Sequence, residues 1–429
     1  MSTARRIDLA PDQALPQRDL LLDPDGIARR FSARLGSRGR IEIDRCERLR
    51  IKYSPGASLR VLHRIRVGGS SYTIATRVFT GGRSESAFER AAASAVPCGP
   101  LLPVAHDRDL DAVCWTFPND RKITSLSALA NPPSMFAGIF TDQWARSRVV
   151  AYAPEKCVTA QCLSDSGNLL AYAKAYSEEE RCSYDIYQAL LKKISNAKSG
   201  LRIPRALIYS EEHRLLLLEP VAGLRIADLD DAKRPSGFHR LGGAIAGLHG
   251  LPVPDGLPRF ERLDPDRLLE ASQVVGRARP DVRELASKLA QELCDRRDAL
   301  KEAEVCAHGD VHPKNGILQN DGVALIDLDQ AGPGPAAADL GSLLAALRYC
   351  RCVGALSPAG EDELASAFLS GYGEVRELPP RTSLRWHMAA ALLAERALRA
   401  VNRIREEGLK HMSELLLDSW NLLTEEGHE

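Results

Sequence analysis

No uninterrupted apolar run in this chain approaches the roughly 18 residues that a bilayer-spanning helix needs, so no membrane span is expected. An excess of one charge is missing too. Lys plus Arg and Asp plus Glu both number 57, which leaves no global field to draw the protein to nucleic acid or anionic lipid. The ten cysteines, at 46, 98, 114, 157, 162, 182, 294, 306, 350 and 352, form no CxxC pair, and the opening residues MSTARRIDLAPDQAL carry no apolar signal core. Together these absences read as reduced thiols of a cytoplasmic protein rather than a disulfide framework. Cys350 and Cys352 could share a metal, but no second Cys/His pair with zinc-site spacing lies nearby, so they read as helix residues. What the chain does have is 429 residues with an apolar fraction of 44%, enough for two or three domains with cores of their own.

Up to about residue 40 the chain is rich in Pro, Asp, Arg and Gly, with one amphipathic stretch, GIARRFSARLG. From 47 to 79, β-branched and apolar residues alternate with polar ones and are broken by the turn compositions SPGAS and VGGSS, which predicts a meander of strands. A helical pattern, SESAFERAAASA, and a short buried strand, DAVCWTF, follow. The same order then recurs: Tyr152-x-Pro154, KCVTAQCL, the turn SDSGN, LLAYAKAY, the helix SYDIYQALLKKI and the strand RLLLLEPV. Tyr53 corresponds to Tyr152, Arg77 to Lys174, Pro103 to Pro204 and Pro118 to Pro220, about 100 residues apart throughout, which is the mark of an internal duplication. After Val221 the pattern becomes helical, interrupted by one strand-rich island, VCAHGDVHPKNGILQNDGVALIDLDQ.

The island concentrates the chemistry. An acid and an amide five apart, Asp310 and Asn315, are followed twelve residues later by Asp327 at the end of the apolar strand VALI, and the turn NDG folds ILQ back on that strand as a hairpin. Asn315 and Asp327 then offer oxygens to a hard divalent ion, and Asp310 is left to accept a proton, the division of labour of phosphoryl transfer. His308 and His312 beside carboxylates raise zinc as an alternative, but a third His or Cys at suitable spacing is missing from the sequence.

HGDVHPKN followed by ALIDLDQAGPGPAAADLG resembles the phosphotransferase signature of the aminoglycoside phosphotransferase family, which has the protein-kinase-like fold. The resemblance implies an α+β, two-lobed architecture: a small antiparallel-sheet ATP lobe and a mostly helical lobe. It makes Asp310 the catalytic base, Asn315 and Asp327 the Mg2+ ligands, and Asp339 a support of the catalytic loop. Lys174, in LLAYAKAY, is expected to hold the α- and β-phosphates of ATP, with Ser164, Ser166 and Gly167 of the preceding turn covering them. RLLLLEPVAGLRIADL resembles the hinge between lobes, with Glu219 and Val221 contacting adenine through backbone groups. The expected division is an extension at 1–40, an extra α+β unit at 41–135 that duplicates the ATP lobe, the ATP lobe and hinge at 136–222, and the helical lobe with the acceptor site at 223–429.

The pattern departs from the family in one respect. SYDIYQALLKKI places no Glu mid-helix to orient Lys174, and Asp185 and Gln188 are the nearest candidates. The expected activity is ATP-dependent phosphorylation of a hydroxyl on an aminoglycoside, sugar or amino alcohol; a nucleotide-binding pseudokinase without turnover, and a zinc hydrolase, are the alternatives. Trp115, Phe117, Asn119 and Asp120 fall where the second copy has its hinge, and read either as substrate contacts or as core and turn.

Overall fold

The computed structural model describes residues 8–132, 136, 138–197, 201–259, 263–300, 302–320 and 322–424. Two compact units divide the chain: one comprises Met1–Glu180, Leu207–Leu218 and Asn402–Ile404, the other Arg181–Ala206, Glu219–Val401 and Arg405–Glu429. Among the described residues no helix is long and apolar enough to cross a membrane.

The first unit holds two five-stranded antiparallel sheets. The first is built from β1 (Arg45–Ser54), β2 (Ser58–Val67), β3 (Ser70–Val78), β4 (Val104–Asp107) and β5 (Ala112–Thr116), ordered β1-β2-β3-β5-β4. The second is built from β6 (Arg146–Ala153), β7 (Cys157–Leu163), β8 (Leu169–Tyr176), β9 (Ala206–Ser210) and β10 (Leu215–Leu218), ordered β6-β7-β8-β10-β9. The likeness extends to irregularities. Each first hairpin carries a register shift, between Arg48 and Arg50 in one and, two residues nearer the turn, between Val149 and Ala151 in the other. The turns after β1 and β6 use left-handed residues at Gly56 (φ 75°) and Glu155 (φ 59°).

Period-two patterning gives the first sheet two buried faces. One is covered by α1 (Arg18–Leu22) and α2 (Pro24–Arg34): Asp23 caps α2 by accepting from the Asp25 and Gly26 N–H groups, and Phe31 meets His63 edge-on at 5.5 Å. On the other, Leu62, Ala75, Val113 and Trp115 share a core with Val158, Ala160, Ala173 and Leu217 of the second sheet. Burying each Leu or Val there contributes roughly 1.5–3 kcal/mol. The short helices α3 (Ser84–Ala92) and α4 (Leu126–Ala130) complete this unit. Trp115 and Asn119 are buried; the Trp115 indole donates to Tyr152 and Asn119 donates to Val96 and Thr116 carbonyls, so this cluster is core and turn.

The second unit opens with α5 (Arg181–Ala197). β11 (Leu224–Arg225) leads into α6 (Arg234–His249), α7 (Pro265–Ala278) and α8 (Arg283–Arg297). β12 (Glu304–Ala307), β13 (Gly316–Leu318), β14 (Val323–Leu325) and β15 (Gly332–Pro335) form the island: β11-β13-β14 make one small sheet, and β12 pairs with β15. Asp321 of the NDG turn lies outside the described residues; Gln319 N–H donates to the Gly322 carbonyl at 2.9 Å and closes the hairpin. β15 forms although its sequence is GPGP, because pairing with β12 supplies what its composition lacks. Then come α9 (Ala336–Cys352), α10 (Pro358–Gly373), α11 (Arg381–Ala391), a π-helical segment at Leu392–Ala397, α12 (Leu398–Arg403), α13 (Glu406–Lys410) and α14 (Met412–Thr424). α6 and α10 cross with backbones nearly touching: a Cβ on Gly242 would lie 2.0 Å from the Phe368 carbonyl, and one on Gly371 1.8 Å from that of His239.

Candidate active site

Residues 308–315, the loop expected to be catalytic, follow β12 and are held from below by one buried carboxylate. Asp339, in the first turn of α9, accepts the His308 N–H at 2.6 Å and the Gly309 N–H at 3.0 Å. On its other side it accepts from His249 Nε2 at 3.0 Å, and His249 Nδ1 in turn accepts the Tyr372 hydroxyl at 3.0 Å. This chain fixes the His249 tautomer. Burial alone would raise the Asp339 carboxyl, but the bonds and charge from His249 and His308 outweigh it and hold the group below its ordinary range. Gly309 has φ 81°, and a Cβ there would lie 2.3 Å from the Gln330 carbonyl, so the loop turns where only glycine fits.

His308 braces the loop across to the second acid. Its Nδ1 accepts the Asp310 N–H at 3.3 Å and its Nε2 donates to the Ile326 carbonyl at 3.1 Å, next to Asp327. Asn315 does the same from the far end: its Nδ2 donates to the Asp310 carbonyl at 3.0 Å, and its backbone carbonyl accepts the Ile326 N–H at 2.9 Å. With the amide nitrogen so used, the Asn315 side-chain oxygen is its remaining acceptor. Asp327 itself is left-handed, φ 63°, and the following Leu328 N–H donates to the buried hydroxyl of Tyr187 on α5 at 3.1 Å. Asp310, Asn315 and Asp327 are therefore tied through the Ile326 backbone. Asp310 and Asp327 are half-buried, accessible to a ligand.

His312 is engaged within the loop itself. Its Nδ1 accepts the Lys314 N–H at 3.2 Å, and burial, then the nearby Arg396 and Lys314, push its pKa down to about 4, so it is neutral. Cys352 is buried, donates to Asp418 at 3.4 Å and has its thiol pushed up to about 12, the state of a packed thiol. Among the described residues no three His, Cys, Asp or Glu side chains gather as a metal cluster.

In the first unit, Lys174 sits on the third strand of its sheet opposite Thr159 and Leu216, on the face turned away from the shared core. The structure does not bring Ser164, Ser166 and Gly167 to it. Their turn closes the opposite end of the β7–β8 hairpin, and five residues of strand separate Leu169 from Lys174, roughly 17 Å. The two serine hydroxyls bond each other at 2.8 Å and hold Asn168. The turn at the Lys174 end is 154–156, whose Lys156 carbonyl accepts the Ser177 N–H at 2.9 Å. The sequence signal for it was Tyr-x-Pro; composition alone favoured the Ser/Gly turn.

At the expected hinge, Glu219 uses its N–H on the Arg205 carbonyl at 2.9 Å and its carboxylate on the Arg205 guanidinium at 2.8 Å. That pairing lowers the Glu219 carboxyl. Val221 is half-buried, and the neighbouring Ala222 carbonyl accepts from Gln319 at 3.0 Å, which pins the segment to the β13 hairpin.

Residues 176–410, more than half the chain, match the sequence model of the phosphotransferase enzyme family, APH. The chain belongs to the phosphotransferase enzyme family. The matched span starts just past Lys174 and covers residues 219–222, the loop 308–315 and α6 to α13. This phosphotransferase has the protein-kinase-like fold, with antiparallel sheets and a helical part that carries the loop. Solved structures similar to it include ADP-bound aminoglycoside phosphotransferase APH(2'')-Ib, 15% identical over 66% of this chain and 95% of that one, TM-score 0.45. Amicoumacin kinase hAmiN in complex with AMP-PNP, Ca2+ and Ami is 16% identical over 69% and 91%, TM-score 0.47. A choline/ethanolamine kinase family protein from Mesorhizobium loti is 16% identical over 70% and 93%, TM-score 0.44. No curated protein matches the chain.

Proposed function

We infer that this phosphotransferase moves the γ-phosphate of ATP to a hydroxyl of a small molecule, such as a sugar, an amino alcohol or an aminoglycoside, in the cytoplasm. The observation that carries the reading is the joint anchoring of Asp310, Asn315 and Asp327 through the Ile326 backbone, with Asp339 fixing the loop beneath. Asp310 orients the acceptor hydroxyl and takes its proton. Lys174 holds the α- and β-phosphates. The Asn315 amide oxygen and the Asp327 carboxylate are hard oxygen donors, a set that fits Mg2+ and not zinc. Mg2+, when bound there, neutralises charge on the phosphates.

Glu361 on α10 is buried and paired with Arg348 and Arg351, so its charge is taken up within the fold. The test is ADP release from purified protein with Mg-ATP and a panel of hydroxylated acceptors. Acceptor-dependent release that vanishes in Asp310→Ala supports the reading. ATP-dependent thermal stabilisation without turnover on any acceptor, and without basal hydrolysis, would instead establish a nucleotide-binding pseudokinase.

A further inference from the structure

The face of the first sheet that joins the second is apolar at one end and cationic at the other. Two adjacent register pairs, Arg50 with Leu62 and Lys52 with Arg60, put three cations side by side where like charges directly opposite are unfavourable. They line a solvent-open cavity of about 110 Å³ together with Leu62, Ala153, Pro154, Lys156 and Arg403, all within the first unit. Arg403 is held there by donating to the Ile51 carbonyl at 3.0 Å.

The compensation nearby is already committed. Glu155, buried in the turn beside the cavity, is paired with Arg60 at 2.9 Å, with Arg121 at 2.6 Å and with Arg77. Asp120 accepts the Tyr152 hydroxyl at 2.6 Å and the Glu155 N–H at 2.9 Å. Even with these bonds the Nε of Arg60 is buried without a hydrogen-bond partner among the described residues. Burial, and after it Arg60, Lys156, Arg403 and Arg50, lower the Lys52 ammonium below its ordinary value, so the cluster repels itself as it stands.

We propose that this cavity binds a tetrahedral oxyanion, either inorganic phosphate or the terminal phosphoryl group of a small phosphoester. At about 110 Å³ the cavity is on the scale of one such group with its hydration rather than of a whole nucleotide. Arginine forks and lysine ammoniums are the donors that recognise phosphoryl oxygens. The site lies on the core side of the second sheet, whereas Lys174 is on the opposite face, so the two sets of cations point to different sides of that sheet. Lys156 belongs to the turn at the Lys174 end of β7, so an anion here fixes the position of that turn.

The experiment is thermal melting of the full chain in Mg2+-free buffer at constant ionic strength, titrated with inorganic phosphate, glycerol 3-phosphate or sodium chloride. Wild type is expected to show a saturable rise in melting temperature with phosphate and none with chloride. A rise with phosphate alone assigns the free ion, and a rise with the monoester as well assigns the phosphoryl end. The rise should disappear in Lys52→Met and in Arg50→Gln, each of which, relieved of like-charge repulsion, melts at or above wild type without anion. The proposal is overturned if wild type shows no saturable rise, if chloride reproduces it, or if both variants keep it.

Discussion

His249 and Asp339, 90 residues apart in sequence, form a fully buried pair at 3.0 Å whose purpose is the loop above it. Asp339→Asn keeps the shape but turns an amide toward two N–H groups and the His249 Nε2 that all donate to the carboxylate. Breaking a buried pair from one side costs about 3–5 kcal/mol. Urea denaturation should report a loss in that range, and turnover should fall with it because the Asp310 backbone is no longer held. His249→Ala leaves the carboxylate with its backbone donors and should be the milder of the two; equal effects would mean that His249, not the loop amides, is what Asp339 serves.

Gly309→Ala tests the loop from above. The residue would be left-handed with its Cβ 2.3 Å from the Gln330 carbonyl, so the backbone must move. A left-handed non-glycine costs on the order of 1–2 kcal/mol before the clash is counted. The expected outcome is a stability loss above about 2 kcal/mol with turnover reduced at least tenfold; a fully active variant would show that the loop tolerates a second geometry.

Glu155 is the counter-charge between the two sheets of the first unit. Glu155→Gln leaves Arg60, Arg77 and Arg121, all partly exposed, without an anion, and should cost about 2–3 kcal/mol once solvent screening is allowed for. Glu155→Gly removes the charge too but suits the left-handed turn, φ 59°, and should recover about 1 kcal/mol of that loss. Differential scanning calorimetry on the pair separates charge from backbone.

His63, fully buried against Phe31, has its pKa pushed down to about 4, first by burial and then by Arg48. The native state therefore keeps it neutral while the unfolded chain protonates near 6.5. Below pH 6.5 the unfolded state binds more protons, so this group's contribution is complete above pH 6.5 and is lost as pH falls toward about 4. From this group, unfolding free energy should fall by about 0.7 kcal/mol between pH 7 and 6 and by about 1.2 kcal/mol between pH 6 and 5. His63→Leu should flatten the slope by that amount; an unchanged slope would place the proton uptake elsewhere.

The two hairpin sheets, the catalytic loop and the helical remainder were legible because each rests on local pattern: alternation, turn composition and the fixed spacing of Asp310, Asn315 and Asp327. What was not legible depends on which end of a strand a residue reaches. Lys174 follows the turn 164–168 in sequence but lies beside the turn 154–156 in space, since an antiparallel strand of this length carries its far end away from the turn it came from. Glu155 gave no signal either. Its role exists only through three arginines 34, 78 and 95 residues distant. His249 and Tyr372 read as helix residues, and only the crossing of α6 and α10 reveals them as props of the loop.

The π-helical segment at Leu392–Ala397 acts as a phase shifter. A π turn carries about one residue more than an α turn, so the side chains that follow are rotated by about 100° from where an uninterrupted helix would present them. Within it, Arg396 donates to the Ser342 carbonyl at 2.8 Å and Glu395 accepts the Ser342 hydroxyl at 2.7 Å, which locks the extra residue against α9. Everything from Leu398 onward is thus presented on a rotated face, and deleting one residue from the segment would swing those side chains back by about 100° while leaving composition and hydrophobic pattern almost untouched.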